Sequence, residues 1–312
     1  MVALTISAVG RVPLARGLPI TITLDKGVEE ATIADVKAAI AAKYPKFYPA
    51  RQKLALKDDM NALADELTLK TAGIVDGDKV TVKDLGPQAS WRTVFMVEYL
   101  GPLIIHPLIY HFPNIFYGGP VTHSILQKYV YAFVLLHFVK RELETLFVHR
   151  FSHGTMPAFN IIRNSAHYWI LSGALLAYSL YSPTYSAASP YILGSIRNNP
   201  NYLWIGTALW LFAELSNLHT HITLRNLRPP GSKVRAIPYG YGFALVSCPN
   251  YFFETLAWSV IAGMTGSYAA WLFVFVSGYT MAKWALKKHR AYKKEFGKQY
   301  PPNRKAIFPF IL

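Results

Sequence analysis

LRNLRPPGSKVR, Leu224 to Arg235, sets four basic side chains and no acid between two long apolar runs. One or two such residues mark the cytosolic end of a membrane span. This density, around the turn expected at Pro229-Pro230-Gly231, suggests a polyanionic ligand.

The rest of the chain fits that setting. Of 312 residues, 52% are hydrophobic and 16% charged, with mean hydropathy +0.21. These values suit a polytopic membrane protein better than a soluble one. The net charge of +15 is unevenly spread. Residues 1–86 hold 12 Lys and Arg against 11 Asp and Glu, whereas residues 87–312 hold 20 against 6. The single cysteine, Cys248, excludes an intramolecular disulfide and, with no visible paired base, reads as a buried small side chain. No basic segment followed by an apolar stretch opens the chain, so no cleavable signal peptide is expected.

Within residues 1–85, VALTISAV (Val2–Val9) and PITITLD (Pro19–Asp25) alternate like strands, with Arg16-Gly17 as a hairpin turn between them. Thr32 is placed to cap a helix whose Ile33, Val36, Ile40 and Tyr44 recur at helical spacing. RQKLAL (Arg51–Leu56) and KVTVKDL (Lys79–Leu85) read as further strands, the second following the Asp76-Gly77 turn. This order resembles a ubiquitin-like β-grasp. Residues 86–312 form the second domain, with spans expected near 91–112, 124–148, 164–181, 202–223, 241–263 and 266–286. Each approaches the ~20 residues a membrane helix needs. The run 241–263 reads as partly re-entrant, with Pro249 breaking its middle. Basic loops at 224–235 and 287–305 put both on the cytosolic face. The chain closes in a basic amphipathic tail, KKHRAYKKEFGKQYPPNRKAIFPFIL.

Several polar groups interrupt these runs, and charged groups in lipid cost roughly 2.5–3.5 kcal/mol each on insertion scales, so they should face the bundle interior. Asn217, His221, Arg225 and Arg228 follow at spacings of four, four and three on one helical face. Such a stripe suits phosphate, because guanidinium forks match phosphate oxygens; the alternative is anchoring in lipid headgroups. CPNYFFE places Asn250, Tyr251 and Glu254 in an apolar run. Tyr251 is a candidate proton donor, with Glu254 three residues on sharing its face; the alternative is an interfacial belt tyrosine. In KRELETLFVHRFSHGTMP, Lys140 and Glu144 form an i,i+4 pair of opposite charge, which a simple helix salt bridge also explains. Glu98 is an isolated acid in an apolar helix, functional by default. No dinucleotide fingerprint and no phosphate loop occur. Metal catalysis and nucleic-acid binding are not expected.

Taken together, DLGPQASWRTVFMVEYLGP, KRELETLFVHRFSHGTMP, LRNLRPPGSKVRAIPYGYG, SCPNYFFE and the carboxyl-terminal tail resemble the steroid 5α-reductase superfamily. The similarity is nearest to its very-long-chain trans-2-enoyl-CoA reductases of the endoplasmic reticulum. The resemblance implies an α-helical bundle of about six to seven transmembrane helices after the ubiquitin-like domain. It also implies NADPH as cofactor, held by Asn217, Arg225, Arg228, Asn250, His289 and Tyr292, with His221 and Glu254 beside them. Steroid reductases often carry an acid where this chain has His221, so the contact of that residue stays open. Tyr251 looks like the proton donor, and Glu98, Lys140 and Glu144 match polar positions important for activity.

The implied partners are a long-chain trans-2-enoyl-CoA, the lipid bilayer and the elongase, 3-ketoacyl-CoA reductase and 3-hydroxyacyl-CoA dehydratase of fatty-acid elongation. The implied setting is a cytosol-facing site in the endoplasmic reticulum membrane. Other readings are a steroid or polyprenol double-bond reductase, a membrane isoprenylcysteine methyltransferase using S-adenosylmethionine, and a non-catalytic ubiquitin-like adaptor on a membrane anchor. The ubiquitin-like start and the CPNY motif favour the enoyl reductase over these.

Overall fold

A computed structural model describes residues 1–56, 61–151, 154–229 and 236–312. Pro230 to Arg235 of the basic stretch, with most of its expected turn, therefore lie outside the described residues, as do Ser152 and His153. The chain divides into two compact units, Met1–Trp91 with His153–Asn160, and Arg92–Ser152 with Ile161–Leu312.

In the first unit, strands β1 (Val2–Ala8), β2 (Ile20–Leu24), β3 (Gln52–Leu56) and β4 (Lys79–Asp84) form one sheet ordered β2-β1-β4-β3. β1 and β4 are parallel and the outer pairs antiparallel. Strand side chains alternate between faces, so Val2, Leu4, Ile6, Ile22, Leu24, Leu54, Val80 and Val82 enter one core. Helix α1 (Ile33–Lys43) contributes Ile33, Val36 and Ile40 to it. Thr32 and Asp35 make a reciprocal capping box that satisfies the first orphan amides of α1. This is the β-grasp arrangement expected. A turn does sit at Arg16-Gly17, with Leu18 N donating to the Ala15 carbonyl at 3.3 Å, but it is one part of a longer connection, since residues 9–19 all lie between β1 and β2. Val12 and Ala15 of that connection are buried in the core, which fixes a longer excursion. A short second ladder pairs β5 (Gln88–Ser90) with β6 (Thr155–Pro157).

The second unit is helical. It comprises α2 (Trp91–His111), α3 (Pro113–Tyr117), α4 (Ile125–Leu143), α5 (Phe159–Ala166), α6 (Leu176–Leu180), α7 (Pro200–Asn226), α8 (Pro249–Thr265) and α9 (Tyr268–Phe296). Wider π-helical turns prolong α4 over Glu144–Val148 and join α5 to α6 over His167–Leu175. Such turns recur at functional sites. Among the described residues two helices, Trp91–His111 and Tyr268–Gln299, are long and apolar enough to cross a membrane on length and composition. α4 and α7 carry acids and bases within their lengths, and α8 has only 17 residues.

Pro249 does not break a span at 241–263. It opens α8 at the first helical position, where its missing N–H costs nothing. The basic tail likewise begins as helix, α9 continuing to Phe296. α7 and α8 approach closely where Gly206 lies on Met264, in a space a Cβ would occupy.

Candidate functional site

Three helices supply a buried polar cluster, each through residues on one face. α4 and its π turn offer His137, Lys140, Arg141 and Glu144; α7 offers Glu214, Asn217 and His221; α8 offers Asn250 and Glu254. Steps of three, four and seven residues align side chains along a helix. The polar stripes thus point inward while the remaining faces stay apolar.

Glu214 is the hub between α4 and α7. His137 Nδ1 lies 2.7 Å from its Oε1, and Lys140 Nζ lies 2.7 Å from its Oε2. The other ring nitrogen of His137 reaches Glu254 Oε1 at 3.2 Å, so one imidazole joins carboxylates from two helices. Asn217 is 1% exposed. It accepts from Lys140 Nζ at 2.6 Å and donates to the Asn250 carbonyl at 2.8 Å and Glu254 Oε2 at 3.1 Å. Glu144 takes Arg141 Nη1 at 2.6 Å and His221 Nδ1 at 3.0 Å. The expected Lys140–Glu144 pair is present but long, at 3.8 Å. It is one edge of a network rather than an isolated salt bridge. Nine-tenths burial of most of these groups makes the pairing obligatory, because an unpaired buried charge costs several kcal/mol.

Glu144, His149 and His221 offer three ligand atoms within 4.8 Å of one another. Arg141 already supplies the cation there, 2.6 Å from Glu144 and 3.4 Å from His221 Nδ1. A divalent ion would have to sit against that fixed positive charge.

The other expected site residues fall in four places. Glu98 is buried in α2 and accepts from Asn164 Nδ2 at 2.9 Å. Arg225 closes the α7 stripe in the last turn of the helix, whereas Arg228 lies just beyond its end at Asn226 and so is not on the helical face expected of it; Arg150 Nη1 donates to the carbonyls of both. Tyr251 is turned toward α9. The Lys288 ammonium stands 4.8 Å from its ring centroid, and Trp284 lies one helical turn earlier. Glu254 therefore does not share the working face of Tyr251. Asn250 and Glu254 line up at i,i+4 toward α7, and Tyr251, about 100° further round, faces elsewhere.

The carboxyl-terminal segment braces the start of α8. Ser247 N and Cys248 N donate to the carbonyls of Lys305 and Ala306 at 2.8 and 3.1 Å. Ser247 Oγ lies 2.6 Å from both His289 Nδ1 and Tyr300 Oη, and Tyr300 stacks on Tyr292. Arg304 is 3% exposed and donates to the Pro238 carbonyl at 3.1 Å, while its Nε has no partner among the described residues. It lines a cavity of about 420 Å³ with His289, Lys293 and Lys305.

Comparison with known proteins decides between the readings of this geometry. The 3-oxo-5-alpha-steroid 4-dehydrogenase family model matches residues 154–312, and the model described as the TECR ubiquitin-like domain matches residues 18–83. A Schizosaccharomyces pombe protein named provisionally as an enoyl reductase is 50% identical, covering 81% of this chain and 83% of its own. The Dictyostelium discoideum very-long-chain enoyl-CoA reductase is 38% identical over 90% of this chain and 92% of its own. The chain belongs to the very-long-chain enoyl-CoA reductase family. A human trans-2,3-enoyl-CoA reductase-like protein is 32% identical over 93% and 79% of the two chains.

Reductases of this family imply a nicotinamide cofactor. The residues present fit such a group: His289, Lys293, Arg304 and Lys305 line the carboxyl-terminal cavity, a cationic set suited to a phosphate-bearing ligand. For this family member, motif reading does not reach His137 and Arg141 of the cluster. An Arg beside a Lys and a His on an apolar face carries no signal until the partner carboxylates of α7 and α8 are known. The i,i+4 step from His137 to Arg141 was the only available cue.

Proposed function

We propose that this protein reduces the trans-2 double bond of long- and very-long-chain enoyl-CoA to the saturated acyl-CoA, using NADPH. The reading is carried by one observation: relatives named very-long-chain enoyl-CoA reductase match nine-tenths of both chains, across both compact units. The buried polar cluster supports it, since a non-catalytic anchor has no use for charges in its interior.

In this reading residues 1–85 are a ubiquitin-like domain and 86–312 a catalytic domain of six to seven transmembrane helices. The site faces the cytosol from the endoplasmic reticulum membrane. The reaction closes the fatty-acid elongation cycle and feeds sphingolipid synthesis, beside the elongase, the 3-ketoacyl-CoA reductase and the 3-hydroxyacyl-CoA dehydratase.

NADPH, when bound, supplies hydride to the β-carbon. Asn217, His221, Arg225, Arg228, Asn250, Glu254, His289 and Tyr292 would hold it, the arginines through charge-assisted bonds to phosphate. Tyr251 gives its hydroxyl proton to the α-carbon. Its neighbour Lys288 stabilises the phenolate left behind. Glu98, Lys140 and Glu144 orient the reacting groups from the buried network.

The test is purified protein in detergent with NADPH and a long trans-2-enoyl-CoA, followed by nicotinamide absorbance and product mass. Stoichiometric appearance of saturated acyl-CoA is expected. Cofactor consumption with a steroid or polyprenol substrate only, or none at all, would overturn the reading.

A further inference from the structure

Tyr99 is 2% exposed, one residue after Glu98 in α2. Arg141 Nη2 donates to its hydroxyl oxygen at 2.9 Å, and the guanidinium also stands 5.1 Å from the ring centroid. Arg141 cannot drift, because its Nη1 is fixed on Glu144 at 2.6 Å. The phenol ring is boxed in as well. Tyr168 meets it edge-on at 5.2 Å, Phe95 stacks at 6.0 Å and Phe138 tilts against it at 6.3 Å.

The hydroxyl's own hydrogen has no acceptor among the described residues. A buried donor left unspent costs free energy, and native proteins rarely leave one without a reason. A phenol whose oxygen already accepts from a guanidinium is polarised, and gives a stronger hydrogen bond through its own proton. A rigid donor in a dry site, with its proton uncommitted, is what stabilises charge that appears only during a reaction.

We propose that Tyr99 donates this hydrogen bond to the thioester oxygen of the substrate, with Arg141 as its positioning residue. The assignment rests on the enoyl thioester reading above. When hydride adds to the β-carbon, the electron pair of the double bond moves toward the carbonyl. Negative charge then collects on the thioester oxygen. Tyr99 holds that charge through a hydrogen bond without transferring its proton. The proton that completes reduction goes to the α-carbon in a separate step, and water restores the donor that supplied it.

Two measurements test this. In the first, single-turnover cofactor oxidation is compared for wild type and Tyr99→Phe. Loss of one such donor costs about 10²–10³-fold in rate, and the affinities for cofactor and enoyl-CoA should be unchanged. In the second, the infrared carbonyl band of a carbonyl-labelled trans-2-enoyl-CoA is recorded bound to protein without cofactor. It should lie below its solution frequency in wild type and move back toward it in Tyr99→Phe. Should Tyr99→Phe fold poorly, 3,5-difluorotyrosine at position 99 keeps the shape with a stronger O–H donor. The band should then move further down.

A band that Tyr99→Phe leaves in place, or a wild-type turnover rate, removes Tyr99 from the reaction. A slow variant with weakened binding of both ligands makes it a packing residue only and also overturns the assignment. If the wild type itself consumes no cofactor with any enoyl-CoA, the parent reading falls instead.

Discussion

In the amino-terminal unit Leu4, Ile6, Ile33, Ile40, Leu54 and Val80 fill the interior, and pairs such as Lys70–Glu29 sit outside with both side chains more than 60% exposed. In the helical unit the order is reversed. Glu144, Glu214, Asn217 and His221 are interior, and Leu209, Phe212, Leu215 and Trp204 of α7 are exposed. The first pattern belongs to a domain that folds in water. An exposed ion pair contributes about 0–1 kcal/mol there, so Lys70–Glu29 tells nothing of function. The second belongs to a bundle whose outer solvent is apolar. Charge inside it is expensive and persists where paired or used. The same ion-pair chemistry is therefore uninformative in one unit and diagnostic in the other.

The comparison breaks most visibly if chemistry does not depend on the helical unit's polar groups. Tyr251→Phe keeps the ring between Trp284 and Lys288 but deletes the O–H. General-acid catalysis typically contributes about 10²–10⁴-fold, so kcat should fall by that range while cofactor affinity holds. Single-turnover assays with NADPH and a trans-2-enoyl-CoA give the answer. A near wild-type rate would return Tyr251 to an interfacial or packing role.

A stability test comes next in size. Glu144→Ala strands Arg141 and His221, both of which it pairs at 3.0 Å or less. Removing one member of a buried ion pair typically costs about 3–5 kcal/mol. Thermal unfolding of the helical unit in detergent should move down strongly. Glu29→Ala, on the surface of the other unit, should leave unfolding nearly unchanged. Equal shifts would mean that the two units treat charge alike.

Arg228→Ala probes the basic residues that follow the end of α7. Charge-assisted hydrogen bonds are worth roughly 1.5–3 kcal/mol, so the KM for NADPH should rise by about one to two orders of magnitude with the fold retained. Isothermal titration of the cofactor checks this directly. An unchanged affinity would make the basic end a lipid-headgroup anchor.

How far the sequence carries differs between the units for a physical reason. In the first, alternation at Val2, Leu4 and Ile6 and the helical step Ile33–Val36–Ile40 are local signals, and the strands and helix lie where they predict. The Arg16-Gly17 turn is present, but the rest of the connection between β1 and β2 is not legible, because Val12 and Ala15 are claimed by the core, which no local rule shows. In the helical unit the apolar runs mark the helices, but Pro249, which reads as a break in 241–263, is the start of α8. Only the segment pairing of Ser247 and Cys248 with the carboxyl-terminal strand-like stretch explains why it is a start. Asn217, Asn250 and Glu254 stand out in the sequence as polar interruptions of apolar runs, and they do converge. The missing members, His137 and Arg141, depend on contacts 77 and 80 residues away in sequence, to Glu214 and His221.

The smallest expected effect tests whether any polar pair matters in the amino-terminal unit. Arg51 and Asp84 make two bonds, Nε to Oδ1 at 2.9 Å and Nη2 to Oδ2 at 2.7 Å, and join β4 to the residue preceding β3. The Asp84 side chain is 9% exposed, unlike the other ion-paired acids of its unit. Burial alone would raise its pKa. The Arg51 hydrogen bonds and the Gly86 N–H outweigh that, and hold the carboxyl below the usual aspartate range. A depressed folded pKa gives stability that is fully present above the unfolded value, near about 3.9, and lost as the pH falls through the folded value. Intermediate between a surface pair and a buried charged bond, it should contribute about 1–2 kcal/mol. Asp84→Asn should therefore lower amide-exchange protection of β3 and β4 at neutral pH. The gap between variant and wild type should close as the pH drops through the acid range. If the gap is the same at neutral and acid pH, the effect is packing and not ionisation. Asp84 would then join the surface pairs of its unit as a charge without energetic consequence.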